Sequence, residues 1–110
     1  MSDVMMTKQE IQILVEQGLE ANGCNSQNAS AVARTIAAAE LDGCAAHGLF
    51  RMPGYVASLR SGKVNGNANP MVSRISPGVV KVDGDHGYAP LALEMGRAAL
   101  IEAASENGIA

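Results

Sequence analysis

Aromatic residues are scarce in this sequence, which has one Phe, two Tyr and no Trp. Any core must therefore rest on Leu, Ile, Val and Met, because Ala and Gly supply much of the small-residue content and 47% of the chain is apolar. Cysteine is equally sparse. Cys24 and Cys44 stand apart with no Cys-x-x-Cys spacing, so a zinc knuckle and a disulfide scaffold are not expected and a reducing cytoplasm is. Positive charge is short as well: 8 Lys plus Arg face 11 Asp plus Glu, a net charge of -3, and no stretch gathers them into a basic stripe. Nucleic acid is thus not an expected partner. Nowhere do roughly 18 consecutive apolar residues occur, and Met1 to Met6 has no basic region ahead of an apolar run. Neither export nor a membrane is expected.

The chain does carry clear helix punctuation. Its 110 residues suffice for one domain. Thr7-Lys8-Gln9-Glu10 reads as a capping box, followed by Ile11, Leu14, Val15, Gly18 and Leu19 at the spacing of one buried helical face, with Asn22-Gly23 as a left-handed stop. This predicts a helix over about 8–22. Asn25 or Ser26 can cap a second, over about 26–41, whose face is Ala29, Val32, Ala33, Ile36 and Ala37, with Glu40 on the same side. Gly43 ends it, and residues 43–48 read as a loop of small residues around His47.

From Leu49 the pattern turns helical again through Tyr55, Val56 and Leu59 to Gly62, predicting a helix over about 49–61 with Pro53 tolerated in its first turn. Residues 65–70 are turn-forming, and the strands predicted at about 71–75 and 79–82 make a hairpin around Ser76-Pro77-Gly78. A second turn at 83–87 leads to a helix over about 90–106, opened by Pro90 and closed by Asn107-Gly108. Its Leu91, Leu93, Met95, Leu100 and Ile101 spread around more than one face, which asks for cover on several sides. Ile109-Ala110 reads as the start of a further strand, so the chain is expected to be an opening segment.

The run Leu41-Asp42-Gly43-Cys44-Ala45-Ala46-His47-Gly48-Leu49-Phe50-Arg51-Met52-Pro53-Gly54-Tyr55 resembles the signature of the type-2 malate/L-lactate dehydrogenase family. Leu59-Arg60-Ser61-Gly62-Lys63-Val64, Val82-Asp83-Gly84-Asp85-His86-Gly87-Tyr88 and Glu106-Asn107-Gly108-Ile109-Ala110 resemble further segments of that family. Within it, His47 to Arg51 with Pro53-Gly54-Tyr55 is most similar to reductases of Δ1-piperideine-2-carboxylate and Δ1-pyrroline-2-carboxylate. The resemblance implies a mixed α/β fold without a Rossmann domain, of which residues 1–110 are the N-terminal part: helices, a short β-hairpin and a further helix. It implies an NAD(P)-dependent oxidoreductase, a homodimer, and a small carboxylate substrate, either a cyclic imino acid or a 2-hydroxy/2-oxo acid pair. NADP or NAD would bind mostly through residues after Ala110, and no Gly-x-Gly-x-x-Gly occurs here.

Reduction of a C=N or C=O beside a carboxylate needs a hydride, a proton and a cation to hold the carboxylate. The family's matching histidine makes His47 the proton donor, and an imidazole, with an ordinary pKa of about 6.5, suits that task. Arg51, four residues on, is assigned the substrate carboxylate, for which its planar fork is shaped. Read without the resemblance, His47 is a turn or capping residue and Arg51 a solvated helix cation. His86 reads as a turn former and stays outside the site. The family has Ser where this chain has Ala46, so the hydroxyl of its relay from histidine to a distant Asp is missing. Two other readings compete. One is a non-catalytic helical interaction or dimerisation module using the Ala-rich face of the second helix, or an inactive truncated remnant. The other is a helix-turn-helix formed by the first two helices, which the acidic balance disfavours.

Overall fold

The computed structural model describes residues 4–110; Met1 to Asp3, part of the leader reading above, lie outside them. It is a mixed α/β arrangement: α1 (Lys8–Ala21), α2 (Ser26–Leu41), two single 3-10 turns (Ala45–His47 and Leu49–Arg51), α3 (Met52–Arg60), β1 (Met71–Ser76), β2 (Val79–Asp83) and α4 (Ala89–Asn107). Local chemistry explains the boundaries. Thr7 Oγ1 accepts the Glu10 amide while Glu10 Oε1 accepts the Thr7 amide, both at 3.1 Å, and Asn25 Oδ1 accepts the Asn28 amide at 3.0 Å. Gly23, Gly62 and Gly108 take positive φ where α1, α3 and α4 stop.

The core lies between α1 and α2, where Val15, Leu19, Val32 and Ile36 are fully buried and Ala29, Ala33 and Ala37 bring the two helices close. Two expectations are corrected here. Leu14 is 48% exposed, since α1 buries only the stripe Ile11, Val15, Leu19 that a single facing helix can cover. The Ala-rich face of α2 is spent on this internal core and offers no docking surface for a partner.

β1 and β2 form an antiparallel hairpin in the register Met71 with Asp83 to Arg74 with Val80, with a bulge before Ser76 opposite Val79. Arg74 ties its turn to α4, donating to the Pro77 carbonyl and pairing with Glu106 at 3.0 Å. α4 lies against β2 at Gly96, where a Cβ would come within 2.6 Å of Val82 Cγ2. It is clamped to α2 by the two-pronged Arg34–Glu94 pair, whose hydrogen bonds hold the Arg34 pKa above its usual value. Its remaining faces are uncovered: Leu93, Leu100 and Ile101 are exposed. The radius of gyration, 15.9 Å, exceeds the roughly 13 Å of a compact chain of this size.

Candidate active site

Between α2 and α3 the backbone turns twice within a few residues. The first turn closes with the His47 amide on the Cys44 carbonyl at 2.9 Å, so residues 45–47, read from sequence as open loop, are a 3-10 turn. The second closes with the Arg51 amide on the Gly48 carbonyl at 3.0 Å and runs into α3, so the helix expected from Leu49 begins as 3-10 and becomes α-helical at Met52. Pro53 sits in that first α turn, where its missing N–H leaves no bond unmade.

This geometry brings His47 and Arg51 together. Arg51 folds back along the chain: its Nε donates to the Ala46 carbonyl at 2.8 Å, and its Nη2 stands 3.5 Å from His47 Nδ1. A guanidinium has only hydrogens to offer, so the neutral ring meets it with Nδ1 as acceptor and carries its own hydrogen on Nε2. Both side chains are exposed. Ala46 takes part through its carbonyl alone.

Arg51 also borders a cleft of about 360 Å³ lined by Gly54, Tyr55, Ser58, Val64 and Tyr88. In its aromatic wall the two Tyr rings meet edge to face at 4.9 Å, and the Tyr88 hydroxyl donates to the Tyr55 carbonyl at 2.6 Å. Burial, helped by the neighbouring Cys24 and Tyr55, pushes the Tyr88 phenol up to about 12. Burial likewise raises the Cys24 thiol to about 11, with Glu20 adding to it. His86 occupies the left-handed region at φ 57° on the exposed turn before Tyr88, away from the cleft lining. Among the described residues no group of three His, Cys, Asp or Glu side chains is placed to hold a metal, and no helix is long and apolar enough to cross a membrane.

Sequence reasoning gave no role to Tyr55, Tyr88 or Glu40. Glu40 Oε1 accepts the Leu49 amide at 2.7 Å and so reaches directly under the His47–Arg51 turn. The signal was present as an acid on the otherwise small apolar face of α2. Tyr88 stood in a family-like segment, but nothing local marked its contact, since it reaches Tyr55 from 33 residues away.

Residues 6–110 match the malate/L-lactate dehydrogenase family. The chain is 49% identical over 107 residues to a Δ1-pyrroline-2-carboxylate reductase of Ancylobacter novellus, covering 97% of this chain and 31% of that protein. The crystal structure of Δ1-piperideine-2-carboxylate reductase from Pseudomonas syringae pathovar tomato superposes with a TM-score of 0.90 at 34% identity, over 94% of this chain and 31% of that one. A malate dehydrogenase from Pyrococcus horikoshii superposes with a TM-score of 0.82 at 27% identity, over 96% and 30%. The chain thus spans about a third of the length of these relatives. Across that span sequence and backbone agree, and the chain belongs to the malate/L-lactate dehydrogenase family of oxidoreductases.

Proposed function

We propose that this chain is the substrate-side segment of an NAD(P)H-dependent reductase of a cyclic imino acid, Δ1-pyrroline-2-carboxylate or Δ1-piperideine-2-carboxylate. The alternative for the same site is interconversion of a 2-hydroxy acid and a 2-oxo acid. The observation that carries the reading is the return of Arg51, which lines a cleft, to within 3.5 Å of His47. Such a pair can hold a carboxylate and deliver a proton to the atom beside it. Homodimeric assembly and a cytoplasmic setting go with the reading, and two free cysteines suit the latter.

The steps assigned to this chain are these. The substrate carboxylate docks on the outer edge of the Arg51 guanidinium, whose Nε is already fixed by Ala46. The His47 ring takes its second proton on Nδ1, giving up the 3.5 Å contact with Arg51 Nη2, then gives its Nε2 hydrogen to the substrate nitrogen or oxygen and returns to neutrality with the remaining hydrogen on Nδ1. The nicotinamide, when bound, supplies the hydride to the adjacent carbon. A cleft of about 360 Å³ lies near the small end of ligand pockets and offers one cation, which does not fit a dinucleotide, so no cofactor contact is assigned to residues 4–110.

The test is a chimera in which residues 1–110 replace the matching N-terminal third of the Ancylobacter novellus relative. NADPH-dependent reduction of Δ1-pyrroline-2-carboxylate is expected, and His47→Ala in that frame should lower turnover by about 10² to 10⁴. Turnover unaffected by His47→Ala would remove the proton-donor role.

A further inference from the structure

Glu40 sits in the last turn of α2, where the exposed carbonyl end of a helix opposes an acid. Among the described residues no Lys or Arg lies within ion-pair distance of it, the ion pairs being Arg34–Glu94 and Arg74–Glu106. Its carboxylate crosses instead to the next element. Oε1 accepts the Leu49 amide at 2.7 Å, the first N–H of the 3-10 turn that carries Arg51 into α3. This amide has no acceptor within its own turn, and the Glu40 oxygen satisfies it. Neither Gly48 nor Arg51, the cap positions of this turn and of α3, supplies a side-chain cap of its own. Glu40 is the cap, delivered from a different helix.

Gly48 makes the delivery possible. The residue is buried against the Glu40 side chain, and a Cβ at this position would lie 2.2 Å from Oε1 and 2.6 Å from Cδ. A methyl group there would push the carboxylate off the amide. Leu49 stands between His47 and Arg51, so pinning its amide to α2 sets where the His47 turn ends and the direction from which Arg51 folds back to Ala46. We propose that Glu40 is a positioning residue that holds His47 and Arg51 in register by capping Leu49 across the Gly48 turn. The proposal rests on the reading of His47 and Arg51 as the substrate-facing pair.

Hydrogen exchange read at single amides by mass spectrometry on the 110-residue chain tests the cap itself. Glu40→Ala and Gly48→Ala should each speed exchange at Leu49 and Arg51 by about 2- to 30-fold, the range for losing a helix cap, while Glu40→Gln, which keeps the acceptor, stays near the parent. Amides of the α1–α2 core should not change. If Glu40→Ala loosens the core as well, Gly48→Ala decides, because it keeps the carboxylate but bars it from Leu49. Equal exchange at Leu49 in parent and Glu40→Ala, or Glu40→Gln as fast as Glu40→Ala, overturns the proposal. In the chimera Glu40→Ala should raise KM for the imino acid by a similar factor, with rescue by Glu40→Gln. KM unmoved by Glu40→Ala while Arg51→Lys raises it also overturns the proposal. KM unmoved by Arg51→Lys instead defeats the reading of Arg51, and the exchange data still judge Glu40.

Discussion

Replacing Arg51 by Lys separates the grip on a carboxylate from mere positive charge. Arg51 spends its Nε hydrogen on the Ala46 carbonyl at 2.8 Å and aims Nη2 at His47 Nδ1, 3.5 Å away. Both Nη1 hydrogens and the second on Nη2 are left for a ligand, and that outer edge matches the two oxygens of a carboxylate. Lysine keeps the charge but presents one compact donor, and it has no Nε to anchor it to Ala46. One charge-assisted hydrogen bond is worth about 1.5 to 3 kcal/mol, which corresponds to about a 10- to 150-fold rise in KM. Turnover should change far less, because a carboxylate grip holds ground state and transition state alike. Initial rates of NADPH oxidation by the chimera across a substrate series give both constants. A KM within about twofold of the parent would return Arg51 to a structural role, and a fall in kcat at constant KM would move it into the chemical step.

Ala46→Ser restores the hydroxyl that the family resemblance supplies beside the histidine; at this exposed turn it should raise turnover of the chimera with little change in stability, and flat activity would show the relay to be dispensable here. Of the two free thiols, exposed Cys44 should react with Ellman's reagent at once and buried Cys24, its pKa raised to about 11, only on unfolding; two equally fast thiols would contradict the α1–α2 core. Tyr88 titrates near 12 when folded against an ordinary 10.0, so the folded state binds its proton more tightly. Its contribution to stability is therefore complete below pH 10 and lost as pH climbs toward 12. Tyrosinate absorbance appearing in that window together with loss of helical circular dichroism is the expected result, and Tyr88→Phe should flatten the dependence there.

Helix starts and stops were readable because their causes are local. A Thr with a Glu three residues on, an Asn cap, a Pro in the first turn and a Gly at positive φ each act within one turn of backbone. That His47 and Arg51 lie together was readable for the same reason, since four residues of tight turn separate them, whereas their roles came from the family resemblance and not from the local pattern. The error at Leu14 has the opposite origin. Periodicity marks which residues are apolar, whereas the width of the buried stripe depends on how many neighbours pack against the helix, and α1 has one major partner. The same holds for the Ala-rich face of α2, which sequence alone leaves open to any partner and which the fold commits to α1.

The sequence by itself determined the four α-helices, the hairpin, the family and the nearness of the two polar residues, though not the two 3-10 turns between α2 and α3, because propensity, capping and motif spacing are written in neighbouring positions. Only the tertiary structure decided what surrounds that pair. Tyr88 lining the cleft through its bond to Tyr55, Glu40 reaching over Gly48 to Leu49, and the bare face of α4 all depend on segments that meet across 9 to 33 residues or fail to meet at all. Such contacts are set by the packing of whole elements, which no local pattern encodes.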